Sequence, residues 1–340
     1  MLVAAGEVDG ALETSHVAHI VPGLAARSDL DAEGRAAPAQ ATLAALDALV
    51  AHAAPDVIHV HTVMRPSVLA WAADHGALVT VQDHRVFCPG RGKWTASGER
   101  CDTAMSSEAC AGCFEEPTYF RKTLEVTEAR LRSVRRMRRV IVLSEYMARE
   151  LRTVGVSQDR IAVVPPFAHG LQLDAEPEAG GSCVLFVGRL VSAKGVWEAV
   201  DAWKEAGLGL PLVFAGTGPL RAGLEAEGFE VRGWLDRGAL SSLFRRASVL
   251  VLPSLWQEPF GIVGLEALAF GVPVAAWDSG GVGEWHPGEG LVRWGDVPAL
   301  AAAMHQLAGT RAEPKPGFHE EGLMDRLVAL YRSAHPSALR

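Results

Sequence analysis

Four charged side chains in the C-terminal half stand at positions where chemistry can be done: Arg189, Lys194, Glu258 and Glu266. The two cations fall in Phe186-Val-Gly-Arg-Leu-Val-Ser-Ala-Lys-Gly195. A strand ending at Val187, a tight turn at Gly188 and a helix starting near Gly195 would send both to the mouth of a sheet. A helix N-terminus there adds amide N–H groups and partial positive charge. The combination suits a diphosphate, which Arg grips bidentately and Lys meets as a point charge. Two solvated surface cations are the plainer alternative.

The carboxylates fall in Pro253-Ser-Leu-Trp-Gln-Glu-Pro-Phe-Gly-Ile-Val-Gly-Leu-Glu-Ala-Leu-Ala-Phe-Gly-Val-Pro273, after the apolar run Val249–Leu252. Glu258 belongs to a loop and Glu266 lies about one turn into the following helix; each can accept hydrogen bonds from sugar hydroxyls. Gly261 and Gly264 mark close backbone approach near the helix start. An exposed surface pair of carboxylates would leave the surrounding glycines and Pro259 unexplained. A third segment, Ser279-Gly-Gly-Val-Gly-Glu284, follows the run Val272–Ala275; its glycine amides can face an anion, although glycine loops are common.

The elements that must hold these loops are short, β-branched runs between helical stretches. Candidate strands are His16–Val21, Val57–Val60, Leu78–Val81, Val140–Leu143, Ile161–Val164, Cys183–Val187, Leu212–Ala215, Val249–Leu252 and Val272–Ala275. Continuous apolar strands alternating with helices imply parallel sheets covered on both faces, hence a doubly wound α/β class with ligands at the strands' carboxyl ends. The chain has 340 residues, and at roughly 100–200 residues per domain it divides into two. The Pro/Gly-rich acidic stretch Asp174–Gly181 reads as the linker, giving an N-terminal domain over 1–174 and a C-terminal domain over 175–317. After the breakers of Ala312–Gly317 comes a last helix, Glu320–Arg332, within 318–340, expected to pack back toward the N-terminal domain.

Taken together, these segments resemble the C-terminal domain of retaining glycosyltransferases of the GT-B fold, family 4 type (glycosyl transferases group 1). The order is strand–GR…KG, strand–PS…EPFG…EA…G.PV, then GG..E. Leu212-Val-Phe-Ala-Gly-Thr-Gly-Pro219, Gly233-Trp-Leu and Leu243-Phe-Arg-Arg-Ala also fit, so the likeness runs from about residue 140 to 335. The resemblance implies two Rossmann-like domains and transfer of a sugar from a nucleoside-diphosphate sugar, with retention and without an essential metal. It further implies that Arg189 and Lys194 bind the donor diphosphate and that Glu258 contacts the donor sugar. Glu266 would hold the ribose hydroxyls, the amides around Phe260, Gly261, Ile262 and Val263 would approach sugar and phosphate, and Trp234 and Leu235 would lie near the base.

The N-terminal half should meet the acceptor, which is unidentified: a glycan, a lipid-linked sugar or a small molecule. His61 ends one strand and either reaches substrate or is structural. Similar enzymes carry a His-Asp pair after the strand Leu78–Val81; here the pair is Gln82-Asp83, with His84 one place later, so Asp83 and His84 are the candidates near the reacting centre. Cys88, Cys101, Cys110 and Cys113 cluster in an insertion over 88–113 that closes with C-x-x-C, a spacing suited to a structural zinc; reduced thiols and disulfides are the alternatives. Between Arg121 and Arg139 there are eight Lys/Arg against two acids. This is either a solvated face, with Leu124, Leu131 and Val134 turned to the core, or a peripheral contact with anionic lipid.

The GT-B pattern normally opens with a strand, a glycine-rich loop and a helix. Here Met1-Leu-Val-Ala-Ala reads as the second strand, so the N-terminal domain is expected to lack the first strand and helix. With Gln82, that keeps a catalytically impaired GT-B-like binding protein as the alternative. A net charge of −8 argues against general nucleic-acid binding. No apolar run reaches the roughly 18–20 residues that span a bilayer, and no signal peptide is evident, so a cytoplasmic location, with or without contact at the inner membrane face, is expected.

Overall fold

A computed structural model of the protein describes residues 3–5, 18–26, 39–169 and 181–334. The start of the expected strand His16–Val21 and nearly all of the expected linker lie outside these residues. The strands are β1 (Val3–Ala5), β2 (Ala18–Ile20), β3 (His59–His61), β4 (Leu78–Val81), β5 (Arg139–Val142) and β6 (Ile161–Val163), followed by β7 (Cys183–Val187), β8 (Leu212–Ala215), β9 (Glu230–Val231), β10 (Ala247–Leu252), β11 (Val274–Trp277) and β12 (Leu291–Val292). The helices are α1 (Ala39–Ala53), α2 (Pro66–Asp74), α3 (Ser107–Ala111), α4 (Pro117–Val134), α5 (Glu145–Thr153) and α6 (Val196–Ala206), then α7 (Arg221–Ala226), α8 (Arg237–Arg246), α9 (Ile262–Ala269), α10 (Val282–Trp285), α11 (Val297–Leu307) and α12 (Glu320–Ala334).

The strands form two main parallel sheets, β3-β4-β5-β6 and β12-β11-β10-β7-β8-β9, with β1 and β2 as a separate parallel pair. Side chains alternate between faces along a strand, and the six-stranded sheet buries both faces. Val184, Phe186, Phe214, Val249, Val251 and Trp277 pack into one core with α6 and α11. Cys183, Leu185, Val213, Leu250, Leu252 and Val274 pack into the other with α8 and α9. Continuous apolar strands are therefore required here, as the sequence pattern demands.

The N-terminal sheet is similarly filled by Val79, Val81, Val140, Val142, Met147 and Leu151. Helix α12 follows the C-terminal domain in sequence but rests on the N-terminal one: Leu327, Leu330, Tyr331 and Ala334 pack with Leu78 and Ile141. Polar contacts reinforce this docking. His59 Nδ1 is 2.7 Å from the Tyr331 hydroxyl and His59 Nε2 is 2.8 Å from Thr80 Oγ1.

Candidate functional site

The site is built at the carboxyl ends of β7, β10 and β11, which neighbour one another in the sheet. The loop after β7 ends in a single 3-10 turn, Ser192–Lys194, before Gly195 opens α6. That turn sends Lys194 to the loop after β10, where its ammonium pairs with Glu258 Oε1 at 2.6 Å. Ser254 donates to the same oxygen at 2.5 Å. Burial alone would raise the Glu258 carboxyl, but the charge and hydrogen bond of Lys194, with Ser254 behind them, hold it below the ordinary carboxylate range. The indole N–H of Trp256 lowers it further, although its geometry falls short of a hydrogen bond. Arg189 is exposed, with its guanidinium carbon 5.6 Å from the Trp256 ring centroid.

Helix α9 starts after Gly261, whose φ is +83° and which offers no side chain to cap the first turn. The amides of Ile262 and Val263 thus have no capping side chain. The Phe260 ring is core, packed against Phe318 and Trp285, and its carbonyl accepts from Trp285 Nε1 at 2.6 Å. Gly264 marks a close approach as expected, but of the protein itself: a Cβ there would lie 1.9 Å from the Trp285 ring. Glu266 sits inside α9 with its carboxyl pushed up by burial, an effect Arg237 partly offsets. Trp234 is 79% exposed after β9, whereas its neighbour Leu235 leans on the core.

In the glycine loop after β11, the first two glycine amides are already taken. Gly280 N–H donates to Gln257 Oε1 and Gly281 N–H to the Glu258 carbonyl, so both brace the Glu258 loop. Glu284 reaches the other domain instead. Its carboxylate accepts from the amides of Glu145 at 2.9 Å and Tyr146 at 2.8 Å, the first turn of α5. A negative group is stabilised at such an end. Beside it, Ser144 accepts from Met147 N–H as the N-cap of α5 and donates to the Pro259 carbonyl at 2.6 Å.

The N-terminal candidates are placed less openly than expected. Asp83 caps the turn His84–Val86 and pairs with Arg85, whose hydrogen bonds outweigh burial and lower its carboxyl. His84 is 3% exposed, with Nε2 3.1 Å from the Tyr146 hydroxyl and its ring facing Trp256, so it is enclosed where the domains meet. Burial lowers its pKa to about 4, which leaves the ring neutral. Gln82 is the exposed side chain at this strand end. His61 Nε2 meets His59 Nδ1 at 3.1 Å and joins the group that docks α12.

All five cysteines are free. The thiol of Cys110 is pushed up by burial and then by Cys88, Cys113 and Cys101, so the four share one neighbourhood. Cys101 is nevertheless turned to Thr103 Oγ1 at 3.3 Å. Among the described residues no three His, Cys, Asp or Glu side chains are gathered to hold a metal ion. The zinc spacing is present, but a ready ligand set is not. In α4, Leu124, Leu131 and Val134 face the core. Arg130 is bound to the Met64 and Arg85 carbonyls and Arg136 pairs with Asp74, leaving Arg121, Lys122 and Arg132 on the exposed face. Among the described residues no helix is long and apolar enough to cross a membrane.

Three side chains of this region escape a motif search. Ser144 carries a readable signal, a Ser closing a strand run ahead of Glu-Tyr-Met, the sign of a helix N-cap. Ser254 is the Ser of the PS…EPFG order, which does not reveal its bond to Glu258, and Trp256 carries no signal beyond its place in the loop.

Comparison with known proteins agrees with this geometry. Residues 6–166 match the Glycosyl transferase 4-like domain, and residues 181–310 match Glycosyl transferases group 1. A 2-deoxystreptamine N-acetyl-D-glucosaminyltransferase of Streptomyces fradiae is 35% identical over 52% of this chain and 49% of its own length. A glycogen synthase of Mycobacterium tuberculosis is 38% identical over 32% of this chain and 28% of its own. The chain thus spans from about a quarter to a half of the length of these curated relatives. Among solved structures, sucrose-phosphate synthase from Thermosynechococcus elongatus superposes with a TM-score of 0.63 at 23% identity, covering 86% of this chain and 77% of that one. Anabaena HepE in complex with UDP and glucose gives 0.64 at 17% identity, covering 98% and 91%. The fold is accordingly GT-B, and the chain belongs to the group 1 glycosyl transferases, with a family 4-like N-terminal domain.

Proposed function

We propose that the protein transfers a sugar from a nucleoside-diphosphate sugar to an acceptor hydroxyl, with net retention and without an essential divalent metal. The observation that carries this is the placement of Lys194 on Glu258 and of Arg189 by Trp256, in the loop that leads to the uncapped start of α9. In the reaction the anomeric C–O bond breaks as positive charge grows on the sugar, and the nucleoside diphosphate departs with the electron pair. Cations fixed beforehand at the departing oxygens stabilise that charge without reorganising, an effect of several kcal/mol in a closed cleft. Arg189 and Lys194 take this part, the Ile262 and Val263 amides add partial positive charge, and Glu266 holds the ribose. Glu258 orients the donor sugar once a phosphate competes for Lys194. The names of similar proteins, which include sugar transferases and a complex with UDP and glucose, support the same class of donor.

The test is a melting-temperature screen of the purified chain with UDP, GDP and ADP, followed by donor hydrolysis with the matching nucleotide sugars. Stabilisation by at least one diphosphate and release of free sugar are expected. Binding without any turnover favours the alternative, an impaired GT-B-like binding protein, for which Gln82 at the exposed end of β4 is the motivating residue.

A further inference from the structure

Trp256 stands at the seam between the domains. From its own domain, the Lys194 ammonium lies 4.4 Å from its ring centroid and the Arg189 guanidinium carbon 5.6 Å. From the other domain come His84, its ring centroid 5.7 Å away, and Gly92. Gly92 has a φ of +82°, and a Cβ there would lie 3.0 Å from Trp256 Cε3 and 3.3 Å from His84 Nδ1. The Gly92 carbonyl accepts from Gln257 N–H at 3.0 Å, so the two backbones are tied where the ring is gripped. Trp256 is fixed at both ends of its own peptide, donating to the Ala193 carbonyl at 3.1 Å and accepting from Ser279 Oγ at 2.7 Å.

Glu258 anchors Lys194, but the exposed Arg189 is repelled by that neighbouring ammonium and without a ligand would spread into water. An aromatic face offers both a shared negative surface, and its attraction grows as water is excluded. We propose that Trp256 is a positioning residue: its ring holds Arg189 and Lys194 in place for the leaving diphosphate, and His84 and Gly92 of the other domain hold the ring. The cation pair is then set only while the domains are in contact. The neutral state of His84 suits this task, since a charged ring would add a third cation to the stack. The inference rests on the transferase reading above.

The experiment is calorimetric titration of the full chain with UDP, GDP and ADP and with UMP, GMP and AMP, for the wild type, Trp256→Phe and Trp256→Leu. Trp256→Leu is expected to weaken diphosphate binding about tenfold while changing monophosphate binding less than about twofold, with Trp256→Phe staying within about threefold of wild type. Equal losses for mono- and diphosphates, or wild-type diphosphate affinity in Trp256→Leu, overturn the inference. If Trp256→Leu does not fold, Gly92→Ala replaces it: the added methyl presses on the ring, and the same selective loss is expected. Wild-type diphosphate affinity in a folded Gly92→Ala overturns the grip from the N-terminal domain. A wild type that binds none of the diphosphates overturns the transferase reading and this inference with it.

Discussion

The two faces of the cleft bury ionisable groups on opposite terms. On the C-terminal side, Glu258 is buried as a charge, with Lys194 and Ser254 supplying what water would. On the N-terminal side, His84 is buried as a neutral ring, its Nε2 at the Tyr146 hydroxyl and its Nδ1 without a partner. Burying an ion is tolerable only when it is paired and hydrogen-bonded, and otherwise the group gives up its charge. One buried group is therefore held as an ion, and the other as a neutral ring that serves as packing. The difference teaches that a residue at a motif position can serve as support: His84 packs against Trp256 and presents no charge there.

The strongest way to break this contrast is to remove the pair. Lys194→Ala and Glu258→Ala should each lower kcat about a hundredfold or more in steady-state assays of folded protein. Lys194→Ala also strands a buried carboxylate, which should cost on the order of 3–5 kcal/mol in urea unfolding. Adding Glu258→Gln to that variant should recover most of the stability and none of the activity. Wild-type turnover in both single variants would remove the charged role from the donor half.

Acidification probes the other face. Because the folded His84 has its pKa lowered from 6.5 to about 4, the unfolded chain binds the proton first as pH falls. Its contribution is complete above 6.5 and is lost progressively between 6.5 and about 4. His59, lowered to about 3, works in the same direction. The melting temperature should therefore drop between pH 7 and 5, and His84→Gln should flatten the drop without abolishing it. An unchanged profile in that variant would place the sensitivity elsewhere.

Glu284 tests the contact between the faces. Glu284→Ala exposes two amides of α5 and should raise the donor KM about fivefold, since hydrogen bonds to charged groups are worth about 1.5–3 kcal/mol and part of that is regained from water. Glu284→Gln should fall between, and small-angle scattering should show Glu284→Ala as the more extended chain. The smallest effect is expected at Trp234. Its removal as Trp234→Ala should weaken nucleotide binding about threefold through lost stacking. With 79% of that side chain exposed, stability should stay within about 0.5 kcal/mol of wild type.

Much of the C-terminal sheet was legible because its strands are buried on both faces and read as continuous apolar runs. Cys183–Val187 and Leu212–Ala215 fall where the sequence pattern places them. The edge strands Glu230–Val231 and Leu291–Val292 escaped it, since two residues carry no periodicity. The partners of the Gly280 and Gly281 amides are not legible for a different reason. Glycine content marks backbone freedom, not the acceptor, and here Gln257 and Glu258 take both amides. Contacts such as Glu284 to α5, or Trp256 to Gly92, join residues far apart in the chain, and a single sequence contains no signal for them. His84 looked available because sequence reports its type and not its burial.

The docking of α12 on the N-terminal sheet has a mechanical consequence. The chain passes from one domain to the other between Val163 and Cys183, and returns between Leu307 and Glu320. Two covalent crossings restrict the twisting of one domain on the other more than a single crossing would. Such a restraint favours keeping the same residues face to face, as the contact of Trp256 with Gly92 and His84 needs. Detaching α12 by weakening Tyr331 and Leu330 would leave a single tether, and the two faces would lose their register while each domain kept its own core.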